Sequence, residues 1–496
     1  MPEQQSSYRQ IMKATSLFGG VQVFNILIAI IRSKFIAILL GPTGMGIAGL
    51  LTSTTGLISG LTNFGLGTSS VKNVAAANSS GNETRLAIII TVLRRWVWVT
   101  GLLGMIITII TAPMLSRLTF GNSNYTFPFI WISISLLFVQ LSSGQMVLLQ
   151  GMRKLQNLAK ANLTGSFIGL IATIPLYYWF GIKGIVPAIV VSAAITLMAS
   201  WYFARKVEVE KVVVSKARTI AEGKEMLVMG FLISMSALIS LGTAYIVRIF
   251  ISKTGCIEDV GLYAAGFLIL NNYVGLIFKA MATDYYPRLS SVSYNNKLCK
   301  DAINQQAEVA ILLLAPIILI FLVFVKWLII LLYSSAFINV IDMVKWAALG
   351  TLFSGVSWSI AFILLAKGAS KLFFWNELSA NIYILALNLI GYKIGGLTGL
   401  GISYLFGYIL YLIQVFTISN IKYQFNFNRE FIVIFVFQLF LAATCFAIMK
   451  YINNPLSYIF GTILIVISMF YSYKELDKRL GIKSILLLLK NKLNKK

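Results

Sequence analysis

The sequence contains no histidine, which excludes imidazole metal ligands, imidazole general bases and imidazole proton relays. Charge is scarce: Asp, Glu, Lys and Arg make up 11% of the 496 residues, against about 25% in an average soluble domain. Only three cysteines occur, Cys256, Cys299 and Cys445, with no CxxC spacing. The topology below puts them outside, inside and within a membrane span, so no disulfide framework is expected. No GxxxxGK[ST] loop is present, so the chain carries no legible nucleotide site. The stretch from Met1 to Lys13 is polar and the first apolar run has spanning length, so no cleavable signal is read.

What is abundant is apolar residues, 58% of the chain. They come in runs of about 20 residues separated by short polar gaps. Backbone amides facing lipid must be bonded within their own segment, so these runs should be helices. The longest polar gap, Arg205 to Lys224, is too short to bury a core. The fold class is therefore all-α integral membrane. About fourteen spans are expected, at roughly 14–40, 44–71, 87–112, 127–150, 157–180, 182–204, 225–251, 260–287, 303–325, 340–366, 370–392, 396–420, 429–450 and 456–473.

The net charge of +25 does not indicate nucleic acid, because the cations sit in the gaps and the tail rather than in a basic patch. One set of alternate gaps holds Arg9, Lys13, Lys72, Arg85, Arg153, Lys154, Lys160, the run from Arg205 to Lys224, Arg288, Lys297, Lys300, Lys367, Lys371, Lys422, Arg429 and the tail. The other holds Arg117, Lys183, Lys253, Lys326, Lys345, Lys393 and Lys450. The first set should face the cytoplasm, as should both termini. In the tail, 474–496, Ile482, Ile485, Leu486 and Leu489 share a helix face, while Lys483, Lys490, Lys492, Lys495 and Lys496 supply charge. That pattern fits a basic amphipathic helix on the inner leaflet, or a disordered basic tail that only fixes topology.

An internal repeat is visible. Arg32-Ser33-Lys34 through Leu40-Gly41 to Gly46-Ile47-Ala48-Gly49-Leu50 resembles Arg248-Ile249 through Thr254-Gly255 to Gly261-Leu262-Tyr263-Ala264-Ala265-Gly266. The copies open spans one and seven, implying two pseudo-symmetric six-helix lobes plus two C-terminal helices. The expected domains are an N-terminal lobe over 1–204, a cytoplasmic linker over 205–224, a C-terminal lobe over 225–420, and spans thirteen and fourteen over 421–473. Parallel repeats in transporters usually face each other across a substrate cavity.

At these residues the chain resembles a known family. Arg32 with Leu40-Gly41 and Gly44-x-Gly46, followed by Asn63-Phe64-Gly65-Leu66-Gly67-Thr68-Ser69-Ser70-Val71-Lys72, is similar to the N-terminal signature of Wzx-type polysaccharide flippases of the multidrug/oligosaccharidyl-lipid/polysaccharide (MOP) superfamily. Tyr286-Pro287-Arg288-Leu289-Ser290 is similar to that family's ending of span eight. The resemblance implies a V-shaped bundle of two lobes around a cavity that opens alternately to each side. It implies a substrate carried on undecaprenyl diphosphate, such as an O-antigen unit of lipopolysaccharide, in the bacterial inner membrane. Membrane lipids, a polysaccharide polymerase and chain-length machinery are the other partners it implies, with no cofactor. The family's cavity is typically cationic, which Arg32, Arg248 and Lys279 match here. Asn63 replaces a common acidic residue, which puts a coupling role for a carboxylate there in doubt.

A charge deep in the membrane costs about 2.5–3.5 kcal/mol, so each needs a reason. Arg32 lies about nine residues, or 13 Å, from the outer end of span one, with Asn25 seven positions earlier on the same face. It could hold a diphosphate with forked hydrogen bonds, or be pinned to carbonyls at a helix bend. Lys34 points away and can snorkel; so can Arg248, which sits nearer its span's outer end. In span eight Asn272, Lys279 and Tyr286 stack at seven-residue spacing, an arrangement suited to a cavity wall. Asp284 could serve ion coupling or simply pair with Arg288. Ser370, Glu377, Asn381 and Asn388 form a polar stripe on span eleven with Glu377 its one ionisable group. It could be a proton or cation site, or a hydrogen-bonded helix seam. Gln140, Gly144, Asn162 and Asn63 read as helix-packing residues. Trp96, Trp98, Trp131, Trp179, Trp201 and Trp327 read as interface anchors.

The leading function is a flippase for lipid-linked oligosaccharide, because a diphosphate is strongly attracted by fixed cations in a low-dielectric cavity. A membrane enzyme of polysaccharide assembly would need catalytic residues on a sizeable outer loop, and the outer gaps are short. A multidrug or cation exporter of the same superfamily is the third reading, opposed by the cationic cavity.

Overall fold

The computed structural model describes residues 2–210, 212–270, 275–453 and 455–480. Among the described residues there is no strand, and the chain forms fourteen α-helices. Among the described residues, ten helical stretches are long and apolar enough to cross a membrane. Three of these, Gly20–Thr62, Leu155–Ala204 and Ser370–Tyr423, run to 43, 50 and 54 residues. At 1.5 Å per residue each is two to nearly three times the roughly 30 Å of hydrocarbon, enough for two spans and the turn between them.

The sequence shows how. Helix α1 (Pro2–Thr62) is broken at Gly41, φ 66° and ψ −170°, followed by Pro42. Glycine takes the positive φ at no steric cost, and proline suits the start of the next helix because it has no N–H to leave unbonded. Helix α12 (Ser370–Tyr423) breaks at Gly395 and Gly396, the latter at φ 55°. Helices α5 (Leu155–Phe180) and α6 (Ile185–Ala204) are joined by a 3₁₀ turn, Gly181–Gly184.

Span two is shorter than its apolar run. It ends at Thr62, and Leu66 opens a separate helix, α2 (Leu66–Ser79). Asn63 causes the break: its Oδ1 accepts from the Gly65 N–H at 2.8 Å, and Gly65 takes φ 64°. Asn63 is thus a turn residue and not an interhelical bridge. Gln140 does bridge helices, its Nε2 donating to Thr100 Oγ1 at 2.9 Å. That bond joins α4 (Thr126–Gly151) to α3 (Glu83–Phe120).

The chain divides into two compact units, Met1–Gly261 and Leu262–Lys496. In the first, α7 (Lys216–Thr254) packs on α1, α2 and α3. It begins nine residues before its expected span because Ser215 caps it, accepting from the Arg218 N–H at 3.3 Å. The segment before it and its first turn are tied to α3: Arg95 donates to the Val214 carbonyl at 2.9 Å, and Trp96 Nε1 to the Thr219 carbonyl at 3.0 Å. Trp96 therefore serves protein packing, whereas Trp98, Trp131, Trp179, Trp201 and Trp327 are exposed as interface anchors would be.

The second unit completes α8 (Ile257–Ile269) and holds α9 (Gly275–Ser291), α10 (Asn296–Leu332), α11 (Ile341–Ala366), α12, α13 (Arg429–Tyr451) and α14 (Leu456–Leu480). Its core runs along α10, where Ile303, Ile311, Ala315, Leu319 and Leu322 are fully buried against α11, α13 and α14. Polar bonds fix the last two helices. Ser468 and Ser472 of α14 hydrogen-bond the Gln438 amide of α13 at 2.7 and 2.9 Å. Buried Glu308 of α10 accepts from Arg479 Nε at 2.6 Å. Helix α14 continues seven residues past the expected end of span fourteen, and the amphipathic segment beyond it, 481–496, lies outside the described residues.

Candidate functional site

Span one, the part of α1 before Gly41, carries the first group of polar residues. Arg32 is half-buried, and its Nε is buried with no hydrogen-bond partner. Asn25, two turns earlier on the same face, has a buried and unpartnered Oδ1. The Arg32 guanidinium reaches toward α5: a methyl placed on Gly169 would stand 3.8 Å from Nη2. In α7 the repeat-related Arg248 is also half-buried with an unpartnered Nε. Three of the polar residues singled out in the sequence therefore share one property, a buried polar atom that the protein does not satisfy. Such an atom costs about 1–3 kcal/mol, and more when charged. Lys279 and Asp284 lie on α9, with side chains outside the described residues, as is all of Asn272.

The second group lies in unit two, on the hairpin made by the two halves of α12. Glu377 Oε1 accepts from Tyr411 Oη at 2.6 Å, with Asn376 Nδ2 at 3.3 Å. Gln414 Nε2 lies 2.8 Å from Asn376 Oδ1 and 3.0 Å from Ser379 Oγ. Asn381 Nδ2 donates to the Glu377 carbonyl at 2.9 Å. Tyr383, six residues beyond Glu377, has a buried hydroxyl with no partner. One carboxylate thus sits in a nest of hydroxyl and amide groups, an arrangement that can hold either a proton or a small cation.

Tyr411, Asn376 and Gln414 were not singled out in the sequence. Their pairing follows from the turn: 376 and 414, like 391 and 399 or 387 and 403, lie equally far along the chain from Gly395. Placing that turn finds the partners, since Gly391 meets Gly399 and Ser403 donates to the Leu387 carbonyl at 2.7 Å. Among the described residues no three Cys, Asp or Glu side chains cluster to hold a metal.

The family described as polysaccharide biosynthesis protein matches residues 11–293, over half of the chain and including Asn25, Arg32, Arg248 and Lys279. The chain belongs to that family. No protein among the curated sequences matches it. Several solved structures share its fold. The lipid II flippase MurJ in an inward closed conformation superposes with a TM-score of 0.67 at 10% identity, covering 95% of this chain and 99% of that one. An inward-facing multidrug resistance MATE family transporter of the MOP superfamily gives 0.66 at 14% identity, covering 81% and 94%. A mutant of the Vibrio cholerae MATE transporter VcmN gives 0.55 at 14% identity, covering 82% and 97%. This member of the polysaccharide biosynthesis family thus has the fold of MOP-superfamily transporters, with Arg32 and Arg248 in its first unit.

Proposed function

We propose that the chain is a flippase that moves an undecaprenyl-diphosphate-linked oligosaccharide, of the O-antigen class, from the cytoplasmic to the outer face of a bacterial inner membrane. The observation that carries this reading is Arg32, a cation at membrane depth whose Nε has no partner, with the unpartnered Asn25 Oδ1 on the same face. A diphosphate would accept from the guanidinium in a two-pronged geometry, and Asn25 Oδ1 would take a sugar hydroxyl. Arg248, Lys279 and Asn272 complete the proposed head-group clamp. Residues 1–204 and 225–420 act as its two lobes. Glu377 in its Tyr411–Asn376 nest is the proposed coupling site for a proton or cation, with Asp284 the second carboxylate to test.

The experiment is cell-surface polysaccharide in a flippase-null strain, with protein level followed by immunoblot. Arg32→Ala abolishes surface polysaccharide at near-normal abundance, while Arg32→Lys keeps part of it, since a point charge still attracts diphosphate. Lys279→Ala behaves as Arg32→Ala does, and Lys279→Arg is tolerated better than Lys279→Glu. Full surface polysaccharide in both alanine variants overturns the cationic clamp. Extrusion of a cationic dye with no effect on polysaccharide assigns the chain to the exporters instead.

A further inference from the structure

Away from both groups of residues, the first unit contains a slot of about 440 Å³. The volume falls in the roughly 300–1,000 Å³ range of sites that hold small organic ligands. Its floor is Ile47 and Leu51 of α1, both buried. One wall is the start of α4, with Tyr125, Phe127, Pro128 and Trp131; the other is the 3₁₀ turn and first residues of α6, with Lys183, Val186 and Pro187. Phe127 and Trp131 stand exposed, ring edge to ring face at 6.1 Å, so the slot is bordered by lipid-facing aromatics. Tyr125 is held by stacking on Phe120 at 3.6 Å between centroids.

Two observations set the chemistry of the occupant. Among the described residues Lys183 is the one charged residue of the lining, and no carboxylate is part of it. Helix α6 starts two residues later, and its first residues form the same wall. The rest of the lining is aliphatic and aromatic, with exposed rings characteristic of the headgroup level. A slot with one cation at its mouth and an apolar floor matches an amphiphile with an anionic head and a hydrocarbon tail.

We propose that this slot binds a single anionic phospholipid, its phosphate against Lys183 and one acyl chain over Ile47 and Leu51. The lipid is a fixed component of the first unit, wedging the α3–α4 turn against the α5–α6 turn. The site is separate from the transport reading and stands whether or not Arg32 binds a diphosphate.

The test is native mass spectrometry of the full-length protein taken from vesicles of equal parts phosphatidylglycerol and phosphatidylethanolamine. The wild-type protein retains one phosphatidylglycerol in preference to phosphatidylethanolamine. Lys183→Ala lowers that preference about fivefold, the factor that roughly one lysine's attraction to anionic lipid supplies, and Lys183→Arg restores it. Val186→Trp, which fills the slot, lowers retention of both lipids. The melting temperature of each variant, measured in parallel, shows that it is folded. Equal retention of the two lipids by the wild-type protein overturns the proposal, as does a phosphatidylglycerol preference that Lys183→Ala leaves unchanged. Retention of detergent alone overturns it too.

Discussion

A methyl group on Gly65 would stand 2.0 Å from the carbonyl oxygen of Gly230, and one on Gly230 would stand 2.3 Å from the carbonyl of Phe64. The turn after span two and helix α7 therefore meet backbone to backbone, an approach that only residues without a side chain allow. At the other end of span two the partner is α8: a methyl on Gly46 would be 2.1 Å from the Ile257 carbonyl, and one on Gly261 1.9 Å from that of Pro42. Glycine contacts thus clamp span two to α7 and the start of α8 at both ends.

Gly230→Ala is expected to lower the melting temperature in detergent and to reduce transport, because overpacking such a contact costs about 1–3 kcal/mol. Gly56→Ala is the control: nothing lies within 4 Å of its methyl position. There the gain in helix propensity is about 0.5–1 kcal/mol, so the melting temperature holds or rises. Equal effects at the two positions would show that the close approach is not what Gly230 provides.

Orientation is checked by thiol labelling in a protein lacking its three native cysteines. Single cysteines within 118–124 or 253–258 are expected to react with a membrane-impermeant reagent in intact cells. A cysteine at Val213, which is 98% exposed, is expected to react only after permeabilisation. The reverse pattern contradicts the orientation argued from lysine and arginine counts.

At the Glu377 nest, Glu377→Gln is expected to fold normally and to slow transport while flattening its pH dependence. Tyr411→Phe removes the donor at 2.6 Å and should shift the pH dependence without abolishing it. Transport and pH profiles measured in reconstituted vesicles decide. If both variants match the wild type, the nest is a helix seam.

The tie between α3 and α7 makes acid sensitivity a local property. The Arg85 guanidinium, hydrogen-bonded to Glu222 at Nη1 and, at 2.8 Å, at Nη2, holds the Glu222 carboxyl below its ordinary value. A carboxyl lowered on folding stabilises the folded state above its unfolded pKa of about 4.3 and loses that contribution as pH falls through the lowered value. As pH falls from about 4.3 through the lowered value, the α7 start should loosen from α3, seen as faster hydrogen exchange over 214–225. In Glu222→Gln the same segment should exchange faster already at pH 7, with little further acid dependence.

Composition and the spacing of apolar runs were enough for an all-helical membrane protein of about fourteen helices, because the bilayer sets span length and forbids unpaired backbone. Arg32 and Asn25 stand out in the sequence as polar residues within an apolar run, and the structure shows that each keeps a buried, unpartnered polar atom. Span ends were less so: the break at Asn63–Gly65 depends on one side chain capping one amide, while hydropathy continues smoothly through it. What only the tertiary structure decided is pairing. That Glu377 meets Tyr411, that Glu308 inside an apolar run meets Arg479 in the basic tail, and that Gly65 meets Gly230 depends on which helices lie side by side. Periodicity tells which face of a helix is polar, but the partner of that face is set by packing among helices far apart in the chain.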